Sequence, residues 1–184
     1  MIGPILAVLA GGAAALVGYA ASRPADFRIQ RRARIAAPAR AIVSHLDDFR
    51  AWAAWSPWEK LDPAMQRTYG GPTRGVGATY AWDGNKKAGA GSMQITRSDD
   101  QGVAMSLDFT RPMRATNVTE FALAPVNGGG TEVVWTMNGS NNLMGKLFGV
   151  FVNMDQLVGK DFEAGLASLK AVSEGSSSSA GAVS

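Results

Sequence analysis

Leu143–Val172 reads LMGKLFGVFVNMDQLVGKDFEAGLASLKAV. Leu143, Leu147, Val150, Phe151, Met154, Leu157, Val158, Phe162, Leu166, Leu169 and Val172 recur in it every three or four residues. That spacing predicts an amphipathic helix of about eight turns, with Asn141 or Asn142 capping its start. A helix of this length needs a surface to bury its stripe, and no other segment after residue 25 predicts a helix of comparable length. It is therefore expected to lie on a sheet.

The sheet is expected upstream. Asp26–Ile35 alternates, with Phe27, Ile29, Ala33 and Ile35 on one face and Arg28, Gln30, Arg32 and Arg34 on the other, the pattern of a strand with one wet face. Pro38 then opens a short helix over 39–48, carrying Ile42, Val43 and Leu46. Trp52, Trp55 and Trp58 fall within seven residues, and Pro57 prevents one continuous helix through them, so a short second helix should end near Ser56. Trp52 and Trp55 at i and i+3 share a helical face. They read as a plug at one end of the core, with a ligand mouth and a membrane-interface belt as alternatives. From Met65 to Gly139 strand patterns alternate with glycine-rich breaks, and Asp83-Gly84 favours a tight hairpin turn. Hairpins this short imply an antiparallel meander. The fold class is α+β: a curved antiparallel sheet around a long C-terminal helix, with two short helices after the first strand. The domain is expected over 25–174, and 175–184, GSSSSAGAVS from Gly175 on, reads as a disordered tail.

Residues 2–21 are uncharged and mostly apolar, IGPILAVLAGGAAALVGYAA. About 20 such residues suffice to cross a bilayer, so 1–22 reads as a single transmembrane helix and the chain as a single-pass membrane protein. A cleaved signal peptide is the rival, with small residues at Ala20 and Ala21 for cleavage but no basic residue ahead of the apolar run. Arg23, Arg28, Arg31, Arg32 and Arg34 just behind the segment favour a cytoplasmic domain. Folded domains are translocated despite their charge, so the side stays open.

Composition excludes several kinds of chemistry. The 184-residue chain has no cysteine, which removes disulfides, thiolate metal sites and a cysteine nucleophile. Its net charge of +3, from 18 basic and 15 acidic residues, is too mild and too evenly spread for nucleic acid. The one histidine, His45, has no metal-ligand partners in sequence and reads as a helix-end residue. No metal site, cofactor motif or catalytic constellation emerges.

The order of elements resembles the helix-grip fold of the START and polyketide-cyclase-like superfamily. The chain is most similar to its bacterial polyketide cyclase/dehydrase-like branch in Ile35-Ala-Ala-Pro38, Trp52-x-x-Trp55-Ser-Pro-Trp58 and Gly71-Pro-x-x-Gly75-Val-Gly77-Ala. Trp82-x-Gly84-Asn85-x-x-x-Gly89-x-Gly91 and Gly159-x-Asp161-Phe-Glu-x-Gly165-Leu fit as well. The resemblance implies a cavity between sheet and helix that accepts a hydrophobic small molecule or lipid. Alternation places Tyr80, Trp82, Met93, Met105, Phe109, Phe121, Trp135, Met137 and Met154 inward as its lining, although the same residues would serve a solid core. Membrane-tethered, non-catalytic binding is the first expectation. A cyclase or dehydratase acting on an aromatic or polyketide-like substrate is the alternative, with Tyr80, Arg114 and Glu120 as polar candidates. A protein whose sheet or tryptophan cluster docks a partner, with the cavity closed, is the third.

Overall fold

The computed structural model describes the backbone of residues 2–180 and the side chains of residues 10–175. Helix α1 (Ile2–Ser22) precedes strand β1 (Asp26–Ile35), helix α2 (Ala39–Leu46) and two short 3-10 turns, Phe49–Ala54 and Pro57–Lys60. Six strands follow: β2 (Gln66–Gly70), β3 (Thr79–Asp83), β4 (Ala90–Asp99), β5 (Gly102–Arg111), β6 (Ala115–Pro125) and β7 (Thr131–Ser140). Helices α3 (Leu143–Phe151) and α4 (Met154–Ala180) close the chain. The strands form one antiparallel sheet ordered β1-β7-β6-β5-β4-β3-β2. β2 to β7 is the expected meander, and β1 returns to pair with β7 along its full length, from Asp26↔Ser140 to Ile35↔Thr131. The sheet wraps α4, as the helix-grip architecture requires.

The long apolar stripe is two helices, not one. Val152 is extended (φ −123°, ψ 123°), which ends α3. Asn153 then caps α4 by accepting from the Gln156 N–H at 3.1 Å, just as Asn142 caps α3 through Gly145 at 2.9 Å. Only α4 lies in the grip of the sheet, burying Phe162, Leu166 and Leu169. Helix α3 packs beside α1, joined to it by Lys146 Nζ on the Ala21 carbonyl (3.2 Å) and Arg23 on the Gly149 carbonyl (3.2 Å). The backbone of α4 continues to Ala180, past Gly175 where the polar tail was expected to begin. Side chains beyond 175, and residues 181–184 entirely, lie outside the described residues. The membrane span expected over 2–21 includes residues 2–9, whose side chains also lie outside them. Among the described residues no helix is long and apolar enough to cross a membrane.

Two glycines in α4 have opposite importance. Gly159 leaves a gap between Asp155 and Glu163, one turn to either side, and the Arg31 guanidinium of β1 fills it, pairing with Glu163 at 2.7 Å and Asp155 at 3.1 Å. The guanidinium holds the Asp155 carboxyl below the usual carboxylate range. Gly165 instead leaves room for the Trp135 indole, whose Cζ3 would stand 2.8 Å from an added Cβ, with Pro57 Cδ at 3.3 Å. Alanine in place of a mid-helix glycine gains about 1 kcal/mol of helix propensity. At Gly159 the obstructing group is the end of a long, half-buried arginine side chain that can shift, so Gly159→Ala is expected to leave stability within about 1 kcal/mol of wild type. At Gly165 the obstruction is a buried ring, and overpacking costs about 1–3 kcal/mol. Gly165→Ala should therefore be the destabilised member of the pair in parallel urea melts.

The tight turn expected at Asp83-Gly84 is a six-residue loop, 84–89, between β3 and β4. Asn85 organises it: its side-chain oxygen accepts from the Lys87 and Ala88 N–H groups, and the Gly84 N–H donates to the Gly89 carbonyl at 2.9 Å. The short helix expected to end near Ser56 is the first 3-10 turn, and Pro57 begins the second.

Candidate functional site

Between the concave face of the sheet and α4 lies a cavity of about 150 Å³. Strands β3 to β7 supply Tyr80, Trp82, Met93, Leu107, Phe109, Thr119, Trp135 and Met137, and α4 supplies Val158 and Phe162, one turn apart. The 3-10 turns contribute Trp52, Trp58 and Glu59, with Ser56 between them, while Met65 and Ala88 come from loops. Of the nine residues expected to line it, Tyr80, Trp82, Met93, Phe109, Trp135 and Met137 do so. Met105 and Phe121 point inward as their alternation requires, but sit fully buried in solid core. Met154 is exposed: it opens α4 directly after the break at Val152, before that helix enters the grip.

The tryptophan cluster is both core and cavity wall. Trp55 is buried against Trp135 and Phe121, with edge-to-face rings at 5.7 and 5.9 Å. Trp52 is buried and Trp58 half-buried, and both line the cavity. The indole N–H groups of Trp52 and Trp55 donate to the carbonyls of Leu46 and His45 at 3.1 and 3.0 Å. These carbonyls end α2, where a helix leaves its acceptors unsatisfied, so the two rings cap α2 while filling the core. His45 thus has a structural setting, and partial burial lowers its imidazole pKa. Trp135 joins the layers, stacked on Phe162 at 4.0 Å and 7°, with Phe121 at 4.6 Å. Its N–H has no hydrogen-bond partner among the described residues.

One polar constellation breaks the apolar lining. Glu59, its side chain 6% exposed, accepts from the Tyr80 hydroxyl at 2.5 Å through one oxygen and from Arg67 Nε at 2.7 Å through the other. A second Arg67 nitrogen donates to the Glu59 carbonyl at 3.0 Å, fixing the arginine across the turn. Glu59 and Tyr80 line the cavity, whereas Arg67 backs the carboxylate from β2. Burial, reinforced by the bond to Glu59, raises the Tyr80 pKa well above the ordinary phenol range, so the hydroxyl keeps its proton. The stacked rings of Phe49, Tyr69 and Trp82, at 5.7, 5.3 and 6.0 Å, fix the Tyr80 ring in place. The other two polar candidates lie elsewhere. Arg114 is exposed and Glu120 pairs with Arg97 at 2.6 Å, neither of them at the cavity. Glu59 escaped the sequence reading because its partners, eight and 21 positions away, meet it only through the β2–β3 register that sets Arg67 opposite Trp82. Among the described residues no group of histidine and acidic side chains could hold a metal ion.

A sheet curved around one long helix, with an aromatic cavity at their interface, defines a cavity-bearing helix-grip domain. Residues 26–174 match the family described as polyketide cyclase / dehydrase and lipid transport, and the chain belongs to that family. No curated protein matches. Solved structures share the fold at low identity. A hypothetical protein of Helicobacter pylori superposes with a TM-score of 0.61 at 10% identity, covering 81% of this chain and 89% of its own. A protein from Chromobacterium violaceum gives 0.57 at 14%, covering 80% and 96%. The Aha1 dimer from Colwellia psychrerythraea gives 0.52 at 19%, also covering 80% and 96%. At these identities the likeness speaks for the fold alone.

Proposed function

We propose that the protein binds a small hydrophobic molecule in the cavity between sheet and α4, without transforming it, and that α1 tethers it to a membrane. The aromatic cavity, partly open to solvent, carries the first half of this reading. A space of about 150 Å³ matches engineered apolar cavities that take up benzene. In this conformation it holds about one ring, so a longer lipid would reach beyond it.

The tether is supported by the uncharged run over 2–21 and by what packs beside it. Helix α3 leaves Leu143, Met144, Phe148 and Phe151 exposed, Phe151 by 74%. A patch of large apolar side chains beside an uncharged helix suits a lipid surface. Arg23 and Lys146 at the α1–α3 junction are cations that would suit lipid headgroups.

The cyclase reading is favoured by one observation, a buried polar pair at the cavity. It requires a group that polarises a carbonyl, and Tyr80, the candidate donor, directs its proton at Glu59. Binding without chemistry is therefore the better-supported reading. The test is a titration of the full chain, ¹⁵N-labelled on tryptophan and held in nanodiscs, with toluene at free concentrations set by equilibrium dialysis. Saturable shifts in the indole N–H signals of Trp58, Trp82 and Trp135 are expected. Their absence at toluene saturation would remove the cavity as a binding site.

A further inference from the structure

We infer that the cavity selects neutral ligands that donate a hydrogen bond, a single-ring alcohol or phenol, and rejects carboxylates. This rests on the cavity-binding reading above and adds the chemical class of the ligand.

The argument is a count of donors and acceptors. Glu59 is the only charged side chain among the described residues lining the cavity. Its ion pair with Arg67 marks it as a carboxylate, which accepts only, at about four lone-pair sites. Tyr80 and Arg67 occupy one site on each oxygen, and among the described residues no other group takes the remaining sites. The Tyr80 hydroxyl has committed its single proton to Glu59, so its oxygen also offers only lone pairs. Arg67 lies outside the cavity lining, with its nitrogens on the Glu59 carboxylate and on the carbonyls of Glu59 and Met65. The charged end of the cavity therefore presents acceptors alone.

A ligand hydroxyl completes this set. At the Glu59–Tyr80 end a ligand carbonyl meets lone pairs facing lone pairs. A ligand carboxylate meets a like charge where little water screens it, a setting in which repulsion is far stronger than in bulk water. Beyond that end, Ser56 and Thr119 add hydroxyls that donate or accept and the unpartnered Trp135 N–H adds one donor, from which a ligand hydroxyl can accept while donating to Glu59; none of the three supplies a positive charge to offset an anion. The expected ligand is thus a ring-sized alcohol, and free fatty acids and aromatic acids are excluded as occupants.

Four single-ring probes of similar size test this on the full chain in nanodiscs, read by the same indole signals: toluene, benzyl alcohol, benzaldehyde and benzoate, at pH 7. A hydrogen bond to a charged group is expected to favour benzyl alcohol over benzaldehyde by about tenfold or more. Benzoate should produce no saturable shift. Glu59→Gln removes the charge and should abolish the preference for alcohol over aldehyde while toluene still binds. Tyr80→Phe leaves the carboxylate in place and should retain that preference. Benzoate binding as tightly as benzyl alcohol, or a preference that survives Glu59→Gln, would overturn the inference. The wild-type comparison of benzoate with benzyl alcohol decides even if a variant fails to fold. Failure of toluene as well would count against the cavity reading itself, and the two failures are thereby distinguished.

Discussion

Replacing Trp135 by alanine is expected to destabilise the protein by about 3–5 kcal/mol, the cost of deleting a large buried ring that its surroundings cannot refill. The side chain is 2% exposed, and its neighbours come from every layer of the fold. Phe162 of α4 stacks on it at 4.0 Å, and Phe121 of β6 tilts against it at 4.6 Å. Trp55 and Trp58 of the 3-10 segment present their edges at 5.7 and 5.5 Å. The gap would also merge with the existing cavity, because Trp135 is part of its wall. Denaturant unfolding followed by far-ultraviolet circular dichroism measures the loss directly. A change below about 1 kcal/mol would mean that the rings repack around the gap, against the usual behaviour of large-to-small core substitutions.

The second large effect concerns α1. Gly12 and Ala13 lie midway along Ile2–Ser22, and both are exposed in the isolated chain. On the proposed tether, a charge at the centre of an inserted helix costs about 2.5–3.5 kcal/mol, so Gly12→Asp together with Ala13→Asp would add about 5–7 kcal/mol to insertion. Wild-type protein is expected to float with liposomes through a sucrose gradient, and the double variant to remain at the bottom with its circular dichroism unchanged. Equal flotation of the two would show that α1 is not the tether.

The fold was legible where burial imposes a simple period. Arg28, Arg32 and Arg34 alternate with Ile29 and Ile35, and the strand lies where the pattern puts it. The apolar stripe after Asn142 was legible as helix but not as two helices, because period alone does not reveal what a face packs against. Phe148 and Phe151 continue the spacing of Phe162 yet belong to a helix outside the grip of the sheet. A signal for the break was present: Asn153 followed by Gln156 has the spacing of a capping box. The aromatic part of the cavity followed from alternation in β3, β5 and β7. Alternation gives direction and not depth, however. Met105 and Phe121 face the same way as Met137 but meet packed side chains rather than space. Glu59 was illegible for a different reason. Its role depends on a 3-10 turn after Pro57 and on a strand register, and neither leaves a periodic trace in the chain.

The ends of the sheet have a consequence for how copies of the protein meet. β1 and β2 are its two edge strands, and an unpaired strand edge is a template for joining with another chain. β2 offers only five residues for such an addition, ending at Gly70. β1 is ten residues long but exposes Arg28, Arg32 and Arg34 along its length, so two copies approaching through this edge would bring rows of like charge together. Crowded neighbours should consequently resist fusing sheet to sheet, and the protein should withstand high local concentration without drifting into fibrous aggregates.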